Sequence, residues 1–216
     1  MSEIDGRIAE ALTEEQERLS HEFPIDVYDP AITSWESIKG DILNAERAQF
    51  GENAAMEDEL RGFFHDPEGV TVIRKDASTG KVVGFSTAGP ADKAYDGKFH
   101  PQRISSQLAS ELSDSREALL PIQDRDGKTA YVHDTVLDPN FVGRKLVVGL
   151  VATLEKELAE KGYTYLDRDA AYDNGYAANV SKTYTNNGRL IYQSQPHGSV
   201  WGRQVYFVIR LPQVDK

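Results

Sequence analysis

The stretch from Tyr131 to Leu158, YVHDTVLDPNFVGRKLVVGLVATLEKEL, constrains this chain most, because its hydrophobic repeat changes from that of a strand to that of a helix across one turn. Tyr131 to Leu137 is rich in β-branched and aromatic residues and reads as a strand, which Asp138-Pro139-Asn140 ends with turn chemistry. Beyond the turn Leu146, Leu150, Leu154 and Leu158 recur at helical spacing with Val147 and Val151 beside them, while Glu155, Lys156, Glu157 and Glu160 point to water. Gly162 stops that helix. The first turn of a helix carries backbone N–H groups without intrahelical partners and a partial positive charge, so a diphosphate can be held there. Gly143 permits close approach, and Arg144 and Lys145 add charge.

The flanking segments supply the rest of an α/β chain. Ile25 to Tyr28 reads as a first strand, Trp35 to Phe50 as an amphipathic helix, and Met56 to Phe64 as a second helix ending before His65-Asp66-Pro67-Glu68-Gly69. Val70 to Arg74 and Val82 to Ser86 form a hairpin across Ser78-Thr79-Gly80. After the central helix come a strand over Tyr163 to Arg168 and a closing antiparallel pair, Leu190 to Gln193 and Gln204 to Leu211. Hairpins without a repeated βαβ unit argue against a doubly wound nucleotide-binding domain.

Composition narrows the function classes. At 216 residues the expectation is one domain, with an extra N-terminal helix over 1–22 and an insertion over 88–128 that contains a helix from Gln102 to Leu112. An insertion of that length is a candidate lid over a binding site or a homodimer contact. With no cysteine there is neither disulfide nor thiolate nucleophile, and the histidines at 21, 65, 100, 133 and 197 lack close metal-ligand spacing, so no metal is expected. No long apolar run and no signal peptide occur, which points to a cytoplasmic protein without a membrane partner. Residues 1–70 carry 18 acidic side chains against 5 basic, whereas the remaining 146 carry 17 against 19. A pI of 4.9 with no basic stripe argues against nucleic acid.

The segment Leu137-Asp138-Pro139-Asn140-Phe141-Val142-Gly143-Arg144-Lys145-Leu146-Val147 resembles the Val-x-Pro-x-x-Arg-Gly-x-Gly-x-Gly/Ala motif of the GNAT superfamily of acetyl-CoA-dependent N-acetyltransferases. The proline, the aromatic before the loop and the first glycine match; the family's arginine is Val142, its second glycine Lys145 and its last small residue Val147. Gly80-Lys81-Val82-Val83-Gly84-Phe85 is similar to the family's third strand, and Tyr184-Thr185-Asn186-Asn187-Gly188 to its Tyr-x-x-x-Gly. The resemblance covers roughly residues 25 to 211.

Such a resemblance implies a mixed, mostly antiparallel central sheet with a splayed central strand pair and flanking helices. It implies acetyl-CoA as cosubstrate, with the diphosphate on Val142, Gly143, Arg144, Lys145, Leu146 and Val147, the pantetheine arm on the backbone of Val136 and Leu137, and Asn179 as a further contact. The expected reaction is direct attack of a primary amine, on a small molecule, peptide or protein, on the thioester. Strict strand alternation puts Tyr131 and His133 on one face and Val132, Asp134 and Val136 on the other. His133 is then the candidate base, since arylalkylamine acetyltransferases of the superfamily carry His-x-His where this chain reads Tyr131-x-His133, and Asp134 competes if the register differs. Tyr184 is the expected proton donor to the CoA thiolate, with Tyr172, Tyr176 and Tyr192 nearby in sequence. The acidic N-terminal part would face the acceptor and favour a cation. The departures at Val142, Lys145 and Val147 motivate an alternative, a catalytically inactive CoA-responsive binding or regulatory module.

Overall fold

Neighbouring residues of one strand feed different cores. Val72 packs with Leu150, Leu154 and Leu158, while Ile73 packs with Trp35, Ile38 and Phe85, so the sheet is buried on both faces. These contacts are seen in a computed structural model that describes residues 17–92, 128–142, 145–199 and 202–213.

The sheet has eight strands: β1 (Ile25–Val27), β2 (Val70–Lys75), β3 (Val82–Pro90), β4 (Lys128–Leu137), β5 (Tyr163–Ala171), β6 (Leu190–Gln193), β7 (His197–Ser199) and β8 (Gly202–Arg210). Their order is β1-β2-β3-β4-β5-β8-β6, with β7 also paired to β8. Every pairing is antiparallel except that of β4 with β5. Helices α1 (Trp35–Phe50) and α2 (Glu57–Phe64) cover one face, where the Phe64 ring lies 5.1 Å from both Tyr28 and Trp35 and 5.5 Å from Phe85. Helices α3 (Leu146–Glu160) and α4 (Tyr176–Asn186) cover the other. All four leucines of the heptad-like row on α3 are buried, each worth about 1.5–3 kcal/mol relative to exposure.

Boundaries shift where tertiary pairing extends a strand beyond its local signal. β3 continues to Pro90 and β5 to Ala171, and β8 begins at Gly202 rather than Gln204. The short β7 has no apolar alternation and was not anticipated. Residues 17–22 are helical, as expected for the end of the N-terminal helix. The rest of that helix, most of the 88–128 insertion with its Gln102–Leu112 helix, and Gly143 and Arg144 lie outside the described residues.

Gly84 is the tightest backbone approach between the central strands. A methyl there would sit 2.9 Å from both the Val136 carbonyl oxygen and a Leu137 methyl, and neither can swing aside as a surface side chain could. Gly84→Ala is therefore expected to cost about 1–3 kcal/mol by displacing β4, read as a lowered urea midpoint with an unchanged slope.

Candidate active site

The parallel pairing of β4 with β5 ends at Tyr131 and Asp167. From there β5 follows β8 and β4 follows β3, so the two strands part like a fork. The gap is a cavity of about 160 Å³ lined by Tyr131, His133 and Asp134 of β4, Arg168 and Asp169 of β5, Tyr176 of α4 and His197 of β7, among others.

A β-bulge sets which side chains reach it. Thr87 faces Asp134 and Ala88 faces Val132, so His133 is an extra residue on β4 without a counterpart on β3. The bulge overturns the strict alternation expected from sequence: Val132 packs on the α3 side, Val136 on the α1 side with Phe85. Asp134, opposite Thr87, therefore shares the face of His133 and Phe85 instead of the opposite one. The His133 ring stacks on Phe63 of α2, with centroids 4.1 Å apart and planes within 3°. A methyl on Gly89 of β3 would lie 2.9 Å from His133 Nε2 and 3.3 Å from Asp66 Oδ2, so that glycine leaves the imidazole its edge. Across the fork, the Tyr131 hydroxyl donates to Asp169 Oδ2 at 2.7 Å, and His197 Nε2 stands 3.6 Å from Asp169 Oδ1.

The outer edge of β4 beyond the fork is held by a side chain. Leu137 N–H donates to Gln49 Oε1 at 3.3 Å, and Gln49 Nε2 donates to the Thr135 carbonyl at 3.2 Å. The two partners fix the amide orientation, since one can only donate and the other only accept. The Val136 and Leu137 side chains are themselves buried, the Val136 backbone is paired with Phe85 of β3, and the Leu137 N–H reaches a ligand only when Gln49 is displaced.

The loop into α3 begins with a 3₁₀ turn over Pro139–Phe141, closed by Asn140 N–H donating to Asp138 Oδ1 at 2.9 Å and anchored by an edge contact of Phe141 with Phe23 at 5.6 Å. Val142 is exposed, Leu146 is fully buried, and Val147 packs against the Leu137 cluster. Lys145 caps the helix in the left-handed region, with φ 58° and ψ 16°, where the family motif has glycine. A non-glycine residue there costs about 1 kcal/mol. Lys145→Gly is thus expected to raise the melting temperature by relieving that conformation, read in a thermal melt.

Two further residues that the resemblance singled out, the expected cofactor contact Asn179 and the expected proton donor Tyr184, are not part of this cavity's lining. Asn179 is exposed on α4, its N–H bonded to the Gly175 carbonyl, and does not line the cavity. Tyr184 is buried between α3 and α4, where its hydroxyl donates to Glu155 Oε1; Arg189 Nη2 holds the other Glu155 oxygen at 2.7 Å. Burial and the neighbouring carboxylate push this phenol well above its usual range. The Tyr-x-x-x-Gly spacing located the helix end correctly, but the partner that claims the hydroxyl is Glu155, which the amphipathic pattern had assigned to the solvent side. Arg168, Asp169 and His197 were missed because the strand signal ended at Arg168 and β7 had none.

Among the described residues no group of three or more His, Cys, Asp or Glu is placed to hold a metal ion, and no helix is long and apolar enough to cross a membrane. The mixed sheet, antiparallel except for the forked β4–β5 pair and covered by helices on both faces, is the fold class that the sequence resemblance implied. The sequence profile described as Acetyltransferase (GNAT) family matches residues 40–181, and the chain belongs to that family. A sequence search of curated proteins gave no match. Among solved structures, the chain is similar to the ribosomal-protein-S18-alanine N-acetyltransferase from Escherichia coli, with 12% identity over 90% of this chain and 96% of that one at a TM-score of 0.53. It is also similar to an apo agmatine N-acetyltransferase variant (15% identity, 88% and 100% covered, TM-score 0.54) and to an aminoglycoside 6'-N-acetyltransferase complexed with coenzyme A (14%, 88% and 99%, 0.52). At these identities the likeness concerns the fold.

Proposed function

We propose that the protein transfers an acetyl group from acetyl-CoA to a primary amine by direct attack, and that the preferred acceptor is cationic. The carrying observation is the fork: beyond Tyr131 the β4 edge parts from β5 and carries the Gln49 carboxamide, beside a cavity lined by two imidazoles, His133 and His197, and two carboxylates, Asp134 and Asp169. In this reading the diphosphate rests on the N-terminus of α3 with Lys145, and Gly143 and Arg144 complete the loop. The pantetheine arm pairs with the β4 edge at Leu137, and the β4 N–H groups there polarise the thioester carbonyl. His133 takes the proton from the amine, with Asp134 as the competing base on the same face.

The lean toward a cation rests on Asp134 and Asp169 in the cavity wall. Glu57, Asp58 and Glu59, which occupy the first turn of α2, also compensate that helix's own N-terminus, and Glu57 is partly neutralised by Lys39 at 3.2 Å. Acceptors that fit include a polyamine, an aminoglycoside or a peptide amine.

The test is a melting series with acetyl-CoA followed by an amine panel read through released CoA. Ligand is expected to raise the melting temperature, and kcat/KM for a polycationic amine is expected to fall with added salt while a neutral aromatic amine changes little. Binding without turnover on any amine would favour the second reading, a CoA-responsive module, for which the left-handed Lys145 is the supporting feature. No stabilisation by acetyl-CoA would end both.

A further inference from the structure

The transfer needs a proton for the departing CoA sulfur, and α4 carries two tyrosines, Tyr176 and Tyr184, as candidates for that task. They differ in where their hydroxyl hydrogens point. Tyr184 is buried and donates to Glu155, so its hydrogen is committed to a carboxylate inside the α3–α4 interface. Tyr176 is half-buried, lines the cavity, and accepts a 2.6 Å hydrogen bond from Arg168 Nη2. A guanidinium has donors and no acceptor, so the Tyr176 oxygen is the acceptor and its own hydrogen is free to point away from Arg168.

The setting of the pair supports this division. Tyr176 opens α4, its N–H held by Asn174 Oδ1 at 3.0 Å after Gly175 turns the chain at φ 78°. Arg168 is only 3% exposed, its Cζ stands 5.3 Å from the Tyr176 ring centroid, and its Nε has no hydrogen-bond partner. No carboxylate is in direct contact with that guanidinium in a salt-bridge or hydrogen-bond geometry among the described residues. Burial alone would disfavour the charge, but Tyr176, Tyr184 and Glu155 around it more than restore it, and Arg168 stays cationic. A fixed, desolvated cation whose one side-chain hydrogen bond goes to a cavity-lining phenol is suited to stabilise negative charge on that oxygen. As a purely structural contact, the same pair would bury a guanidinium for one hydrogen bond to a neutral phenol, a poor exchange in a protein interior.

We propose that Tyr176, primed by Arg168, is the general acid that protonates the CoA thiolate, and that Tyr184 is a structural tyrosine. This rests on the acetyl-transfer reading given above. In the step, the amine nitrogen forms a bond to the thioester carbon and loses one proton to the base. The C–S bond breaks, its electron pair goes to sulfur, and sulfur takes the Tyr176 proton. The phenolate that remains is held by Arg168 and is reprotonated from water in the open cavity. Tyr176 is the catalytic residue here, and Arg168 acts through it as a positioning residue. The other charged or titratable groups facing the same cavity are Tyr131, His133, Asp134, Asp169 and His197.

The experiment compares Tyr176→Phe, Tyr184→Phe, Arg168→Met and the Arg168→Met/Tyr176→Phe double variant, each by kcat across pH and by calorimetry with CoA. Tyr176→Phe is expected to keep its CoA affinity within about threefold, to lose about 100-fold in kcat, and to lose the alkaline limb of the kcat profile that Tyr184→Phe retains. Arg168→Met is expected to lower kcat in the wild-type background and to have little further effect once Tyr176 is Phe, a non-additivity that general loosening of the cavity would not produce. If Arg168→Met does not fold, Arg168→Lys, which keeps a donor and a charge, takes its place in the cycle. The proposal is overturned by an unchanged kcat and alkaline limb in Tyr176→Phe, or by loss of that limb in Tyr184→Phe alone. A wild type that binds acetyl-CoA but acetylates no amine removes the acetyl-transfer reading itself, and the role of Tyr176 with it.

Discussion

His133→Gln is expected to lower kcat/KM for the amine by about 100-fold or more and to remove the acidic limb of its pH profile, with Asp134→Asn comparatively mild. The imidazole is the better placed of the two because its position is over-determined. It sits at the bulged residue of β4, lies flat on Phe63, and is left its edge by a glycine on β3. Glutamine keeps a polar group of similar reach while removing the titration, so the fold should survive and the comparison reads chemistry. Because the bulge turns Asp134 to the same face, the carboxylate can reach the same amine. A loss confined to Asp134→Asn would assign the base to the carboxylate and leave His133 a packing residue.

The largest stability effect is expected at Arg189. Glu155 is a 5%-exposed carboxylate in the middle of α3, satisfied by the Tyr184 hydroxyl on one oxygen and by Arg189 on the other. Arg189 also donates from Nε to the Arg210 carbonyl at 2.8 Å and lies over the Tyr184 ring, so one side chain ties α3, α4 and β8 together. Arg189→Met strands a buried charge and should cost about 3–5 kcal/mol, whereas Arg189→Met with Glu155→Gln should recover part of that loss. Denaturant melts of the two variants decide it; equal destabilisation by both would mean that packing of the arginine stem, and not the carboxylate, sets the cost.

The elements visible in the sequence were those whose own side chains define a period. The leucine row of α3 and the β2–β3 hairpin are written locally, the first because its apolar face is read from residues four apart, the second because a short turn, Ser78-Thr79-Gly80, separates two β-branched runs. What escaped depends on partners distant in sequence. The bulge at His133 exists only relative to β3, so a strand read by itself alternates strictly and sends Asp134 to the wrong face. The extension of β5 through Asp169 is set by its ladder to β8, and β7 is a strand only because β8 offers it an edge. Tyr184 shows the same limit in a helix: spacing finds the residue, while its hydroxyl answers to a carboxylate 29 positions earlier in the chain.

Gln49 gives the open edge of β4 an occupant of its own. Its carboxamide satisfies one N–H and one C=O of the strand much as a short peptide would. Any visitor to that edge must first evict it, so the binding energy it realises is a difference between two sets of hydrogen bonds and not the sum of its own. A molecule presenting a single polar atom gives back less than it displaces. One presenting an amide of its own can break even on hydrogen bonds and gain from whatever else it touches. The clamp therefore acts as a selectivity filter at the threshold of the fork, one that rejects by thrift and not by size.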